Sequence, residues 1–437
     1  MADLTYQNFD LRIERGRAAP GEAPGYRAAV LASPVGEAST DFTLTIPQDA
    51  PIEAIGRLLF EAAFSGEALT ALRRSLDRVG RRRGGLRIRL RLSEAPELAD
   101  LPWEALYDPR RERFLALSTE TPIVRYLDLP EAIEPLKTAP PLRILPVMAS
   151  PRDLPRLDLA GEIAALRRAL ADLADAGLIE IEPQPPTTPA DLRDALRRRA
   201  YHVIHFLGHG DIDPDTGEGF LVMEDRDGNG RPVTGAALAA LLGDHRSLRL
   251  VVLNACRAAA AAAGRPFTGV AGRLVQRTIP AVIAMRTAIS DEAAAAFAHE
   301  FYAALADGYA VDAAVTEARK ALLTEGQMNE WATPVLFLRA ADGRIFDLPP
   351  RKDDAVVQAG DRITEEVKRE LIATSAAGED ACAAFISYAA ADRQWVFDTL
   401  LPQIEQAGHR AIVDVRDFPP GPMPLPGPSP TAATRSP

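Results

Sequence analysis

The sequence predicts an α/β fold with a mostly parallel sheet flanked by helices, preceded by a β-rich N-terminal region. From residue 141 onward, short apolar runs alternate with amphipathic stretches of helical period, which is the pattern of βαβ units. Before residue 141, short strand-like runs are separated by turn signals such as Ala19-Pro20-Gly21. Hydrophobic residues make up 47% of the 437 residues and charged residues 25%, which is the composition of a folded globular protein.

The apolar runs after residue 141 are short enough to be buried strands. The predicted strands are 142–148, 178–182, 201–207, 248–254, 280–285 and 334–338. Amphipathic spacing predicts helices between them, at 159–173, 190–199, 234–242, 267–277, 291–306 and 309–324. Because strands and helices alternate, we expect right-handed crossovers and mostly parallel pairing.

The N-terminal region is expected to contain strands at 5–13, 26–31 and 42–46, followed by a helical segment at 51–79. The run 42–46 (FTLTI) alternates apolar and polar residues, which is typical of a strand with one buried face. The spacing of leucines and alanines in 51–79 instead fits one face of a helix.

The segment 86–92 (LRIRLRL) alternates strictly, with Arg87, Arg89 and Arg91 on one face of the predicted strand. Two interpretations fit this pattern: a contact with nucleic acid, or a half-exposed strand with a solvated polar face. The chain has 50 basic and 61 acidic residues, so its net charge is −11. This acidic balance favours the solvated face and argues against a nucleic-acid partner.

The sequence also predicts the cellular location of the protein. The longest apolar runs, such as 278–285, are far shorter than the ~20 residues of a membrane helix. The first ten residues lack the basic-then-apolar order of a signal peptide. Two cysteines, Cys256 and Cys382, are too few for a disulfide framework or a four-cysteine zinc site. We therefore expect a cytoplasmic protein with reduced thiols and no membrane partner.

Two predicted strands run directly into loops with chemically active side chains. The strand 201–207 leads into Gly208-His209-Gly210, and the strand 248–254 leads into Cys256. If the strands are parallel neighbours, both loops lie at the carboxyl edge of the sheet, where open α/β sheets place their sites. The 47 residues that separate His209 from Cys256 then do not prevent contact.

A cysteine beside a histidine is a nucleophile with its base, because the imidazole can accept the thiol proton. The amides of Gly210 and Cys256 are candidate donors to an oxyanion, and Arg257 would add positive charge. Cys256 could instead be a buried, inert thiol, as free cysteines often are. Its position after a strand favours catalysis. His202 and His205 lie within the strand and are expected to pack or to form hydrogen bonds.

These segments resemble the CHAT domain, a bacterial branch of the caspase-like cysteine peptidases that includes separase. The resemblance rests on His-Phe-Leu-Gly-His-Gly at 205–210 and Leu-Asn-Ala-Cys at 253–256, with Leu-Pro-Trp-Glu-Ala-Leu at 101–106. Residues 280–285 and 290–293 match as well, and the similarity covers roughly residues 90–345. It implies a caspase-like sheet, endopeptidase activity on protein substrates, and a His–Cys dyad that falls on His209 and Cys256.

One position departs from the caspase-like pattern. Peptidases of this type that cut after basic residues often have an acid two positions before the nucleophile, where this chain has Asn254. A preference for lysine or arginine is therefore open. Asp211 and Asp213 could supply a negatively charged wall instead, or they could be ordinary loop acids. The candidate substrate-binding residues are Asp211, Asn254 and Arg257.

The C-terminal residues resemble the opening of a TIR domain. Ala384-Phe385-Ile386-Ser387-Tyr388 is similar to its first strand, and 414–421 is similar to its second strand and following loop. A chain of about forty such residues is too short to close its own core, so the resemblance implies a truncated, flavodoxin-like fragment. No Glu follows Glu405, whereas TIR enzymes that hydrolyse NAD use a glutamate on a later helix.

The expected layout has five parts. These are an N-terminal half (1–140), a CHAT peptidase half (141–346), a linker (347–380), a truncated TIR-like fragment (381–421) and a proline-rich tail (422–437).

One segment resembles part of a metal-binding loop but lacks one of its ligands. Residues 225–230 resemble the start of a calcium loop, but the loop's acid at position twelve is replaced by Ala236. A glycine-rich hairpin turn explains the segment without metal. We therefore expect neither a metal nor a cofactor.

The leading hypothesis is a caspase-like cysteine endopeptidase in bacterial defence or regulated proteolysis. Its partner would be a protein or peptide substrate, and a regulatory partner protein is left open. The alternative hypothesis is a non-catalytic interaction module in a defence signalling assembly. A third hypothesis, NAD cleavage by the TIR-like fragment, is disfavoured by the missing glutamate.

Overall fold

The computed structural model describes the greater part of the chain. The described residues are 4–16, 24–47, 50–127, 129, 133–213, 215–255, 266–287, 289–326 and 330–349, with the strands at 383–386 and 410–413. The chain divides into two compact units, residues 1–349 and residues 350–437. No helix in the described part of the chain has the length and apolarity needed to cross a bilayer.

The first unit begins with strands and two helices and continues into alternating strands and helices. The strands are β1 (Tyr6–Arg15), β2 (Gly25–Ala32), β3 (Ala38–Thr43), β4 (Gly85–Glu94), β5 (Tyr107–Asp108), β6 (Arg113–Phe114), β7 (Ile123–Tyr126), β8 (Leu136–Lys137), β9 (Leu142–Ala149), β10 (Ile179–Ile181), β11 (Val203–Gly208), β12 (Gly210–Ile212), β13 (Gly219–Glu224), β14 (Gly230–Thr234), β15 (Leu250–Ala255), β16 (Ala281–Met285), β17 (Pro334–Leu338) and β18 (Phe346–Asp347). The helices are α1 (Ile52–Ala63), α2 (Gly66–Gly80), α3 (Leu159–Ala169), α4 (Ala171–Asp175), α5 (Pro189–Arg198), α6 (Gly235–Leu242), α7 (Pro266–Arg277), α8 (Asp291–Ala306) and α9 (Val311–Thr324).

One sheet of eleven strands runs through the first unit, in the order β10-β9-β11-β15-β16-β17-β7-β4-β1-β2-β3. Its pairings are parallel except at β1/β2, β2/β3 and β16/β17. The predicted α/β class with a mostly parallel sheet is therefore confirmed. Because β9, β11, β15 and β16 are mutually parallel, their carboxyl ends share one edge of the sheet.

The strands at the centre of the sheet are buried along their length. All residues of β11, β16 and β17 are buried, as are the first five residues of β15. Continuous apolar runs such as Leu250–Leu253 are typical of parallel strands that are covered on both faces. Helix α8 packs against β11, where the Tyr302 hydroxyl lies 3.0 Å from Nδ1 of His205.

Two predicted helices are each divided in the structure. The segment 51–79 forms α1 and α2, which are separated at Phe64 and Ser65, and α2 begins at Gly66 with φ of +49°. A positive φ at this position is readily adopted only by glycine. The apolar stripe from Leu159 to Leu173 forms α3 and the short α4, with the break at Leu170. Spacing alone did not predict these breaks, because the apolar residues keep the helical period across them.

The arginine face of β4 is not solvated, so the preferred interpretation of this segment was wrong. Arg87 is buried and donates two hydrogen bonds to Asp312 of α9. Arg89 and Arg91 both form ion pairs with Asp10 of β1, and both guanidinium groups lie over the ring of Tyr126. The compensating acids come from a neighbouring strand and from a helix 225 residues later. The arginines are therefore neutralised within the fold and do not form a basic surface.

Trp103 and Glu104 belong to the core. The Trp103 indole N–H donates to the carbonyl of Leu98 at 2.8 Å. The Glu104 carboxylate is 1% exposed and accepts hydrogen bonds from Nε and Nη2 of Arg125, each at 3.0 Å. Burial raises the pKa of Glu104, but the Arg125 guanidinium lowers it by a larger amount. The pKa of Glu104 therefore lies below its ordinary value. Trp103 and Glu104 therefore stabilise the core and do not form a binding surface.

The second unit contributes two described strands. Strands β19 (Ala383–Ile386) and β20 (Arg410–Val413) pair in parallel, with Ala383 opposite Arg410. The remaining predicted TIR-like residues, including Ser387, Tyr388 and 414–421, lie outside the described residues, as do Cys382 and the tail 422–437.

Candidate active site

Strands β11 and β15 end side by side at the carboxyl edge of the sheet, where the two predicted active-site loops begin. The strands are parallel neighbours, with Leu207 opposite Asn254 and Gly208 opposite Ala255. The next residue of each strand is a member of the predicted pair, His209 and Cys256. His209 and Gly210 are described, whereas Cys256 and Arg257 lie outside the described residues. The register therefore gives the backbone positions from which both loops start.

His209 is held in one orientation by a carbonyl group. His209 is buried, and its Nε2 lies 2.8 Å from the backbone oxygen of Pro155. A carbonyl oxygen can only accept, so this contact requires a proton on Nε2. In the neutral ring, Nδ1 then carries the lone pair and is the nitrogen that can accept a proton.

The hairpin after His209 leaves the amide of Gly210 outside its ladder. The amide of Val222 donates to the carbonyl of His209 at 2.9 Å, and Gly210 lies opposite Leu221. In an antiparallel pair this bond makes Gly210 and Leu221 a non-hydrogen-bonded pair, so the N–H of Gly210 points away from β13. This is the geometry that a donor to an oxyanion at the sheet edge needs.

Gly208 has little room for a side chain. A Cβ at this position would lie 2.8 Å from the Phe206 ring and 3.1 Å from the carbonyl oxygen of Ala149. The absence of a side chain lets β9 and β11 stay close at the point where the chain enters the His209 loop.

The two acids that follow His209, Asp211 and Asp213, have different surroundings. Asp211 is exposed, and its carboxylate accepts from the amide of Ile212 at 2.8 Å. Asp213 accepts from the amides of Asp215 and Thr216, and these bonds lower its pKa. The Asp213 carboxylate therefore stabilises the turn between β12 and β13.

Asn254 lies two residues before Cys256, near the end of β15. It is 7% exposed, and its Oδ1 is buried without a hydrogen-bond partner among the described residues. The side chain lines a cavity between α3 and α8 that also contains His205. Two acids of this cavity, Glu162 and Asp291, were not predicted as site residues, because they come from helices distant in sequence.

His205 is buried beside Tyr302, and burial lowers its pKa to about 4. The unfolded chain binds a proton near pH 6.5 and the folded chain only near pH 4, so the unfolding free energy should fall as the pH drops between these values. The contribution is about 1.4 kcal/mol per pH unit for one group. We expect His205→Gln to show a smaller loss of stability between pH 7.5 and pH 4.5 in urea titrations.

A matched control is Gln276→Ala, because Gln276 is exposed and has no titratable group. This variant should keep the pH dependence of the unmodified protein. A pH dependence that is identical in all three proteins would contradict the buried, neutral state of His205.

The calcium-like segment forms the predicted hairpin turn between β13 and β14. The carboxylate of Asp225 accepts from the amides of Asp227 and Asn229, each at 2.8 Å, so its lone pairs serve the turn itself. Within the described residues, no group of three or more potential ligands could hold a metal ion.

The CHAT domain model matches residues 51–351, which is more than half of the chain. The chain belongs to the CHAT family. No curated protein matches it. The resemblance that the motifs around 101–106, 205–210 and 253–256 predicted is thus confirmed at the level of the family, and the matched CHAT region includes every described element from α1 to β18.

Among solved structures, this CHAT protein is similar to separase in the separase–securin complex of Saccharomyces cerevisiae. Two crystal structures of that complex match with TM-scores of 0.34 at 14% and 13% identity, covering 64% of this chain and 17% and 18% of separase. The chain thus spans less than a fifth of the separase chains. The Arg-specific cysteine proteinase gingipain R matches with a TM-score of 0.38 at 10% identity, covering 68% of this chain and 74% of gingipain.

Proposed function

We propose that this CHAT protein is a cysteine endopeptidase in which His209 and Cys256 form the catalytic dyad. The observation that carries the proposal is the pairing of Gly208 with Ala255, since each is followed by one member of the pair. Adjacent parallel strands lie about 4.8 Å apart, which is a distance that two side chains can bridge. The backbone register of β11 and β15 therefore supports the proposed dyad.

The proposed reaction begins with proton transfer from the Cys256 thiol to Nδ1 of His209. The thiolate attacks the scissile carbonyl carbon and forms a tetrahedral intermediate. The imidazolium then gives its proton to the departing amine, and a thioester remains on Cys256. The neutral imidazole then takes a proton from the water that attacks the thioester carbon. The C–S bond breaks, the acid product leaves, and the imidazolium returns the proton to the Cys256 thiolate. The carbonyl of Pro155 supports these steps, because it orients the ring and stabilises a positively charged imidazolium.

The oxyanion of the tetrahedral intermediate would be held by amides at the sheet edge. The Gly210 amide is a suitable donor because the β12–β13 ladder does not use it. We propose the amide of Cys256 as the second donor, and Arg257 as a source of positive charge near the thiolate. We propose that the exposed Asp211, two residues after His209, contacts the substrate.

Labelling with a peptidyl chloromethyl ketone tests the proposal. Intact mass and peptide mapping should find one equivalent of label on Cys256, and the label should be lost in His209→Ala. Cys382 supplies an internal control, because it is the other cysteine of the chain. Equal labelling of both cysteines, or undiminished labelling of Cys256 in His209→Ala, would contradict the dyad. A folded protein with unmodified Cys256 would favour the non-catalytic interaction module.

Several finer features remain proposals from the sequence. These are the role in bacterial defence or regulated proteolysis, the cytoplasmic location, the truncated TIR-like fragment at 381–421, and the boundaries at residues 140 and 346. Strands from both sides of residue 140 contribute to one sheet, so the two proposed halves would function as one body.

A further inference from the structure

A cluster of arginines lies at the C-terminal end of α2 and in the turn that leads to β4. The members of this α2 arginine cluster are Arg73, Arg74, Arg78, Arg81, Arg82 and Arg83. The segment 66–83 contains only two acids, Glu67 and Asp77, so six positive and two negative charges give it a net charge of +4. The whole chain has a net charge of −11, so the cluster reverses the sign of the charge locally.

The cluster is exposed and is not neutralised by the part of the fold that the structure describes. Five of its members are exposed, and Arg73 is half-buried. The Arg78 guanidinium donates to the carbonyl of Pro34 at 2.7 Å, and among the described residues none of the other five has an ion pair or a side-chain hydrogen bond. Elsewhere on the surface, exposed arginines do have acidic partners, as in the pairs Arg197–Asp194 and Arg199–Glu180.

The backbone fixes the turn that carries three of these arginines. The amides of Arg82 and Arg83 donate to the carbonyls of Val79 and Gly80, each at 3.0 Å. Arg83 has a φ of +53°, a conformation that residues other than glycine rarely adopt. The three guanidinium groups therefore extend from a hydrogen-bonded turn, and Arg74, Arg78 and Arg81 follow one face of the helix at intervals of four and three residues.

The chemistry of the cluster favours phosphate groups. It contains arginine and no lysine, and a guanidinium fork binds phosphate oxygens through two hydrogen bonds. The helix rises about 10 Å from Arg74 to Arg81. Double-stranded DNA carries one negative charge per about 1.7 Å of its axis, so several phosphates face a length of this size.

The exposed side chains around the cluster exclude other polyanions. The exposed residues of 66–83 are glycine, threonine, acids and arginines, with no aromatic and no large apolar side chain among them. The bases of a single strand would therefore have no ring on which to stack. A lipid surface or an acidic protein would find no apolar anchor. Surfaces that bind double-stranded RNA span about 16 base pairs, which is far longer than this cluster.

We infer that the α2 arginine cluster binds the phosphate backbone of double-stranded DNA. The binding does not depend on DNA sequence, because phosphate contacts carry no base information. The acidic balance of the whole chain argues against a nucleic-acid partner only for a surface of average charge, and this surface is basic. The inference is independent of the proposed dyad, since no member of the cluster belongs to the candidate active site.

Fluorescence anisotropy with a labelled duplex of about 20 base pairs and arbitrary sequence tests the inference. We expect a dissociation constant on the order of 10 µM at low salt, the range of non-specific DNA binding. Three to four phosphate contacts should give a slope near −3 in a plot of log affinity against log salt concentration. This slope corresponds to a loss of about fiftyfold between 50 mM and 200 mM salt.

Two triple variants separate the cluster from the overall charge. The cluster variant combines Arg74→Gln, Arg81→Gln and Arg82→Gln. The matched control variant combines Arg193→Gln, Arg197→Gln and Arg198→Gln, all exposed on α5. Each variant loses three positive charges, which changes the net charge from −11 to −14. The cluster variant should bind the duplex at least about tenfold more weakly, with a slope reduced by about one per lost contact, and the control variant should stay within about threefold.

Several results would overturn the inference. Equal weakening in the two variants would show that overall charge and not the cluster determines binding. Affinity that does not fall with salt, or tighter binding to a single strand or to duplex RNA, would exclude a DNA backbone site. Cluster-dependent binding to phosphatidylserine vesicles without binding to the duplex would assign the cluster to a lipid surface. Alkylation of Cys256 should be the same in both variants, so each of these results leaves the proposed dyad unaffected.

Discussion

Replacing His209 with alanine is expected to lower kcat/KM for peptide hydrolysis by about a thousandfold. The imidazole takes the thiol proton and later protonates the leaving amine, and positioned acid–base groups typically contribute 10²–10⁴-fold. Alanine removes both functions and leaves the Pro155 carbonyl without its donor. Initial rates with a cleavable peptide, followed at several substrate concentrations, measure the effect.

The dyad also predicts how the variants combine. Cys256→Ala should abolish activity, and the double variant should be no worse than Cys256→Ala, because residues that act as a unit are not additive. His299→Ala is a suitable control, since its side chain is half-exposed and pairs with Asp172 at 3.2 Å, away from the β11 loop. A His209→Ala protein that retains activity within tenfold of the unmodified protein would contradict the proposed base.

Replacing Glu104 with alanine is expected to lower the free energy of unfolding by about 3–5 kcal/mol, because it leaves a buried cation without its partner. The carboxylate binds Arg125 through both oxygens and lies within the core. Arg319 is also fully buried nearby, and burial lowers its pKa to about 10, so it stays charged at neutral pH. Urea titration followed by far-UV circular dichroism measures the loss.

Glu218→Ala is the matched control for this loss. Glu218 pairs with Arg273 at 2.6 Å, but both side chains are about half exposed, and exposed pairs contribute less than ~1 kcal/mol. Equal destabilisation by the two substitutions would show that burial of the Glu104 pair has no special effect, contrary to the structure.

The strands that carry the candidate site were predicted more accurately from the sequence than the strands around them. The strands that end at Gly208 and Ala255 are recognisable because both faces are buried, which leaves long apolar runs with abrupt ends. The direction of β17 was not predictable in the same way. It is antiparallel to β16, and local sequence does not encode the direction in which a later strand returns to a sheet.

Contacts between distant segments account for what the sequence did not reveal. The Pro155 carbonyl that orients His209 comes from 54 residues earlier, and every residue has a carbonyl, so no motif marks it. Glu162 and Asp291 line the same cavity as Asn254 only because α3 and α8 pack beside the strands. The arginines of β4 were misinterpreted for the same reason, since the acid that pairs with Arg87 is on α9.

The rate at which iodoacetamide alkylates Cys256, measured from pH 5 to pH 10, tests the dyad most directly. The reagent is small and needs no substrate pocket, and only the thiolate reacts. We predict rapid alkylation at pH 6.5 in the unmodified protein, and a rate profile displaced to higher pH in His209→Gln. Superimposable profiles for the two proteins would mean that no imidazole assists this sulfur, and would contradict the proposed function.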